Sequence, residues 1–219
     1  MKRILAALAA AFALFAQEHH PVTDRAIAPV MGAAGADWLT RPDREAEEHP
    51  EAALDEIGIP SGATVADVGA GVGFYTLRLA KRVGATGKVY ANDIQPEMLQ
   101  ILRKRMKEAG LVNIEPVLGT PEDPKLPKGA LDLELLVDVY HEFSHPREML
   151  RKLRESLKPD GRLAMLEFRG EDPDLPIRPE HKMTVKQVLA EVQPEGFRLV
   201  RRSEILPRQH ILIFQKSTD

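Results

Sequence analysis

TVADVGAGVGFYTLRLA, residues 64–80, is the stretch on which the reading of this chain turns. Its first five residues are short, β-branched or apolar, the pattern of a buried strand. Gly69, Gly71 and Gly73 follow at every second position, and residues 74–80 begin a helical pattern. A strand, a glycine turn and a helix in that order present a backbone that a ligand can approach without meeting Cβ atoms. The helix start adds free N–H groups and a partial positive charge, which suit a carboxylate or a phosphate. The spacing is G-x-G-x-G, with Asp67 two residues ahead of the first glycine. Dinucleotide-binding turns carry G-x-G-x-x-G instead.

The chain has 219 residues, enough for one sizeable α/β domain and few for two. A hydrophobic content of 43% with 29% charged residues is ordinary for a globular protein. The formal charge of −3 gives no basic footprint for nucleic acid, so no nucleic-acid partner is expected. With no cysteine, disulfides, thiolate metal sites and a thiol nucleophile are all excluded.

Residues 1–16 read as a leader rather than as part of the fold. Lys2 and Arg3 precede an unbroken apolar run over residues 4–16, and small residues precede Gln17. That is the pattern of a secretory signal peptide, with cleavage expected after Ala13 or Ala16. As a helix the run would extend about 20 Å, short of the roughly 30 Å of a bilayer core. Export with cleavage is therefore expected, leaving no stable membrane span; the alternatives are an uncleaved anchor and a cytoplasmic chain.

Residues 17–41 read as a loose N-terminal arm with a short helix. Its Trp38, the only tryptophan, either packs on the domain or closes over a ligand. The domain proper spans residues 42–219. Residues 42–57 suggest a helix restarted at Pro50, and residues 60–62 turn the chain into the first strand. Beyond residue 80, strands are expected at 88–92, 113–119, 131–137 and 162–168. Helices are expected at 95–109, with Pro96 in its first turn, and at 146–157, capped by Ser144. Residues 158–161 read as a turn, and residues 184–192 as a helix whose Thr184 and Gln187 form a capping box. Residues 197–205 and 211–215 are two last strands, joined around Pro207. Alternating strands and helices predict a Rossmann-like, doubly wound α/β fold: seven strands, mainly parallel, with helices on both faces. The last two strands are too close in sequence for a crossover helix, so the seventh must run antiparallel.

This combination closely resembles the class I S-adenosylmethionine-dependent methyltransferases. The likeness rests on the G-x-G-x-G turn with Asp67, an acidic residue ending the second strand, and the reversed seventh strand, and it covers residues 42–219. It implies S-adenosylmethionine as cofactor and a methyl group moved to a small-molecule acceptor by in-line displacement, as in the quinone-biosynthesis branch. Asp67, Gly69, Gly71 and Gly73 would hold the methionine end. Asp93, 24 positions after Gly69, with Ile94 beside it, would take the ribose hydroxyls, a role a carboxylate there also plays toward NAD. Thr120, Glu122 and Asp123 are the alternatives for the contact to adenine. Asp138, ending the fourth strand, would lie near the sulfonium.

His141-Glu142-Phe143-Ser144-His145 spells H-E-x-x-H, a zinc-hydrolase signature that requires both histidines on one continuous helix. Pro146 directly after His145 breaks such a helix, so the motif reads as a loop and no metal site is expected. Its position still matters, because ligands bind beyond the carboxyl ends of parallel strands. His141, His181 and His210 are all expected at that edge. In that order of preference they are candidates for a general base beside Asp138. Two rivals stand beside this reading: an NAD-dependent oxidoreductase, and a catalytically silent exported binding protein on the same fold.

Overall fold

The computed structural model describes residues 18–217; the expected leader at residues 1–16 lies outside them. Seven strands form one sheet: β1 (Thr64–Val68), β2 (Lys88–Asp93), β3 (Ile114–Leu118), β4 (Leu131–Val137), β5 (Leu157–Phe168), β6 (Phe197–Ser203) and β7 (Gln209–Lys216). Their order is β3-β2-β1-β4-β5-β7-β6. The first five pair in parallel, while β7 runs antiparallel to both β5 and β6. The doubly wound architecture with its reversed seventh strand is therefore present, and the strand order switches direction between β1 and β4.

Six helices cover the sheet: α1 (Arg44–Glu48), α2 (Pro50–Ile57), α3 (Thr76–Val83), α4 (Pro96–Glu108), α5 (Pro146–Ser156) and α6 (Val185–Val192). Alternation along the strands divides the core in two. On one face Leu54, Leu79 and Leu102 from α2, α3 and α4 pack with Val65 and Leu133. On the other, Leu150 of α5 and Val188 of α6 pack with Ala66 and Leu136. Both strand faces are thus buried, which is why β1 and β4 read as near-continuous apolar runs. No helix among the described residues is long and apolar enough to cross a membrane.

Several local expectations change. Residues 158–161, read as a turn, are taken up in β5, where the register to β4 jumps between Leu131 and Leu133. Gly161 permits this, because a Cβ there would lie 2.7 Å from the Leu131 carbonyl oxygen. Ser144 does not cap α5. Its hydroxyl meets the His145 ring at 3.1 Å, and Pro146 at the helix start has no N–H to offer. The capping box at Thr184 and Gln187 is present. The chain enters α2 through His49, in a left-handed conformation.

The arm is not loose. Arg25, itself buried, donates through Nε to Glu191 Oε1 at 2.9 Å and through an NH2 group to Oε2 at 3.1 Å. The Thr23 hydroxyl bonds to the same carboxylate, and His20 lies 3.3 Å from it. Arg25 and the Ala28 N–H both donate to the His141 carbonyl, each at 3.0 Å. A 3-10 helix, Ala33–Thr40, continues the arm across the carboxyl edge of the sheet.

Asp67 ties β1 to α3 across the glycine turn, accepting the Thr76 hydroxyl at 2.6 Å. Burial raises its pKa to about 6, opposed by the Thr76 hydrogen bond and the charge of Arg44 and aided by Asp93.

Two outcomes follow. Glu191→Ala strands the buried Arg25 charge, which should cost about 3 kcal/mol and lower the thermal midpoint by roughly 10 °C. An unchanged midpoint would show that the arm is not clamped. Asp67 binds its proton more tightly folded than unfolded, so its stabilising protonation is fully present below pH 3.8 and lost as pH rises through about 6. Asp67→Asn should therefore be more stable than wild type at pH 7.5, by on the order of 2 kcal/mol, with the gap closing near pH 4. Urea titrations at both pH values read this difference; a gap that grows on acidification would contradict it.

Candidate functional site

A cleft of about 440 Å³ opens at the carboxyl ends of β1, β2, β4 and β5, and the arm roofs it with Met31, Trp38 and Leu39. This is where a doubly wound sheet binds ligands, beside the point at which strand order switches. Trp38 is 43% exposed, stacked on the Arg41 guanidinium at 3.9 Å, and forms part of the wall.

The glycine turn makes the floor. Gly69 has φ +72°, and the Val139 side chain occupies the place a Cβ would take. The turn after β1 can thus lie directly against the turn after β4. Gly69 and Gly71 line the cleft, but Gly73, at φ +85°, packs on Leu102 of α4 instead. Gly73 closes the helix onto its neighbour rather than touching the cleft.

Asp93 joins this turn to the end of β2. Its Oδ2 accepts the Gly71 N–H at 2.9 Å and its Oδ1 the Gln95 N–H at 2.8 Å. A carboxylate has about four acceptor positions, so these bonds do not exhaust what Asp93 can accept from a ligand hydroxyl. Burial raises its pKa, opposed by the N–H groups of Gln95, Gly71 and Ile94. Ile94 lines the same wall. Of the adenine-contact candidates, Thr120 and Asp123 close a turn on each other, with Asp123 also bonded to Lys125. Glu122 lies 3.7 Å from His145. None of the three lines the cleft; Pro121, between them, does.

Asp138 follows β4 with φ +49°, an uncommon conformation for a non-glycine residue. Gln209 of β7 donates to its Oδ2 at 2.7 Å, while Oδ1 is buried without a partner. Burial, with Glu48 and Glu167 nearby, holds its carboxyl well above the usual range. The Tyr75 hydroxyl is likewise buried and unpartnered, and both residues line the cleft. Two unpaired polar groups beside a carboxylate with acceptor capacity to spare suit a ligand carrying both a cation and a sugar, as S-adenosylmethionine does.

The three candidate histidines separate. His141 is buried, with Nδ1 2.6 Å from Glu167 Oε2 and Nε2 3.1 Å from His181 Nδ1. Burial opposes charge on His141, but Glu167 outweighs it and raises the pKa. Burial lowers that of His181, helped by His141 and Arg178. Burial also lifts Glu142 to about 7. His210 does not join them: its Nε2 meets the Met183 carbonyl at 2.9 Å, and it faces Glu171 and Glu204, away from the cleft. Convergence of three histidines is thus corrected to two. The residue that sequence reading overlooked is Glu167, a buried acid in the apolar second half of β5, which a search for unexplained charge in a buried strand would have flagged.

Residues 65–161 match the family model described as a methyltransferase domain. Over 116 residues the chain is 33% identical to the ubiquinone/menaquinone biosynthesis C-methyltransferase UbiE of Escherichia fergusonii, covering 52% of this chain and 46% of that one. The chain thus spans about half the length of the curated relatives it matches. The [4+2]-cyclase SpnF, 16% identical, superposes with a TM-score of 0.67 over 78% of this chain and 81% of its own; that likeness is one of fold alone. A SAM-dependent methyltransferase from Aquifex aeolicus superposes with a TM-score of 0.81 at 30% identity, over 85% of this chain and 100% of its own. With that identity along the whole of the Aquifex protein, this chain belongs to the S-adenosylmethionine-dependent methyltransferase family.

Proposed function

We propose that this protein moves the methyl group of S-adenosylmethionine to a small, largely apolar acceptor by in-line displacement. The observation that carries the reading is Asp93, fixed against the glycine turn by the Gly71 N–H at the end of β2 in the cleft wall, with acceptor capacity left for a ribose hydroxyl. When bound, the cofactor would supply an electrophilic methyl carbon, its sulfur keeping the S–C electron pair as the acceptor takes the methyl group. The protein's part is alignment and exclusion of water. Asp93 and Ile94 seat the nucleoside, and Asp67 with the glycine turn takes the methionine end. Asp138 turns a carboxylate toward the sulfonium, a cation that would draw off the proton burial keeps there.

The acceptor would lie across the cleft, against Phe143, Met149, Phe168 and Ile177. These walls fit an apolar ring. The similarity to a C-methyltransferase of quinone biosynthesis favours an acceptor of that kind, with carbon as the nucleophile. The glycine spacing and the family likeness count against a nicotinamide enzyme. A silent binding protein would share the cofactor cleft and differ only in lacking turnover. Export belongs to the same proposal, supported by the basic start and apolar run at residues 1–16.

Calorimetry with S-adenosylhomocysteine should show binding to one site, weakened about 30-fold or more in Asp93→Ala, the scale of losing hydrogen bonds to a charged group. Absence of binding in wild type, or tight NADH binding in its place, would end the reading. Bound cofactor without methyl transfer to hydroxylated aromatic or quinone-type acceptors would favour the silent protein. Mass spectrometry of the protein recovered from its native host should find an N-terminus at residue 14 or 17; an intact residue 1 would remove the case for cleavage.

A further inference from the structure

The cleft contains a second group of side chains that cofactor binding does not use. His141 Nε2 and His181 Nδ1 are 3.1 Å apart, with their rings crossed at 79°. A carboxylate oxygen of Glu142 completes a set of three donor atoms, all within 4.8 Å of one another. All three residues line the cleft. They come from two separate loops, His141 and Glu142 after β4 and His181 after β5.

We propose that His141, Glu142 and His181 form a binding site for a divalent transition-metal ion of the zinc type. Two imidazole nitrogens and one carboxylate oxygen are the donor set of catalytic zinc sites, in which a fourth position stays open to water or substrate. Two Zn–N bonds of about 2.0–2.1 Å at a tetrahedral angle place their nitrogens roughly 3.3 Å apart, close to the separation here. The outer partner is in place as well. Glu167 takes the His141 Nδ1–H at 2.6 Å and is itself held by the Tyr140 N–H at 3.0 Å. That leaves the Nε2 lone pair directed at His181, the carboxylate–histidine arrangement that orients metal-binding imidazoles.

Without the ion, one hydrogen-bonded chain satisfies the two imidazoles. Arg178, which is exposed, meets His181 Nε2 at 2.9 Å, and His181 Nδ1–H can then donate to His141. Metal binding moves the His181 proton to Nε2, and Arg178 swings into solvent. The site differs from the one spelled by H-E-x-x-H. His145, the motif's second histidine, is turned toward Ser144 and Glu122, and the second imidazole comes from beyond β5 instead. The sequence reading expected no metal because it sought both ligands within the motif.

The geometry alone carries the site; its use rests on the methyl-transfer reading. There the open position would hold an oxygen of a hydroxyl- or carbonyl-bearing acceptor beside the methyl donor, a Lewis-acid role.

The test uses untagged protein dialysed against chelator, with Zn²⁺ in calorimetry and Co²⁺ in visible spectroscopy. One Zn²⁺ per chain should bind, and Co²⁺ should give the intense visible bands of a low-coordinate site. His181→Ala and Glu142→Gln should each weaken Zn²⁺ at least about tenfold, on the scale of losing a metal-site interaction. His145→Ala should leave it unchanged. The thermal midpoint, measured on the same preparations, reports that each variant is folded, and S-adenosylhomocysteine binding is measured beside it. Wild type that binds S-adenosylhomocysteine but no Zn²⁺ overturns the metal site and leaves the methyltransferase reading standing. Zn²⁺ binding that survives both ligand variants, or that is lost in His145→Ala, overturns it too. Zn²⁺ binding lost in the two ligand variants, in a protein that ignores S-adenosylhomocysteine, supports the site and overturns only its role in methyl transfer.

Discussion

The hydrogen bond from the Gly71 N–H to Asp93 Oδ2 carries the β1–β2 pairing past the strand ends into the glycine turn, beside the bond from the Ala70 N–H to the Asn92 carbonyl. Gly71 belongs to the turn between β1 and α3, and Asp93 ends β2. The bond fixes how far the glycine turn stands above the strand ends, and so sets the floor of the cleft. It needs a turn that approaches closely, which Gly69 allows by leaving room for Val139. It also needs a buried carboxylate, which costs desolvation free energy that the surrounding N–H groups only partly offset. A carboxylate buried at such a cost at the rim of a cleft is suited to a ligand.

Around that junction the sheet positions the rest. Asp138 follows β4 in a left-handed conformation, and His141 and Glu142 come after one short turn. β5 places Glu167 behind His141. The arm closes the far side through Arg25, whose contacts reach both Glu191 on α6 and the carbonyl of His141. One backbone oxygen is thus held by the arm, while the ring of the same residue is held by β5. Local order in the cleft depends on segments spread from residue 25 to residue 209.

Much of this was legible in the residues. The strand–glycine–helix pattern at 64–80 and the short connection around Pro207 suffice for the sheet and its reversed last strand, because periodicity and connection length are local properties. Asp93 was legible for the same reason: it ends a clear strand at a set distance from the turn. What escaped depends on contacts distant in sequence. Whether Thr120, Glu122 or Asp123 reaches the cleft is decided by how their turn closes on itself. The separation of His210 from His141 and His181 is decided by where its ring turns: it shares a sheet face with Glu167 but meets the Met183 carbonyl instead. The clamp of Arg25 on Glu191 joins residues 166 positions apart, and no pattern in either segment announces it.

Gln209 and His210 occupy neighbouring positions of β7, paired across the sheet with Phe168 and Glu167. Successive strand residues face opposite ways, so the amide meets Asp138 while the imidazole is turned to the Met183 carbonyl. The antiparallel register therefore selects which chemistry touches the Asp138 carboxyl group. A slip of one residue would exchange an amide that cannot change charge for a ring that can. Seen this way, the reversed strand is a choice of titration behaviour at Asp138 as much as a means of closing the sheet.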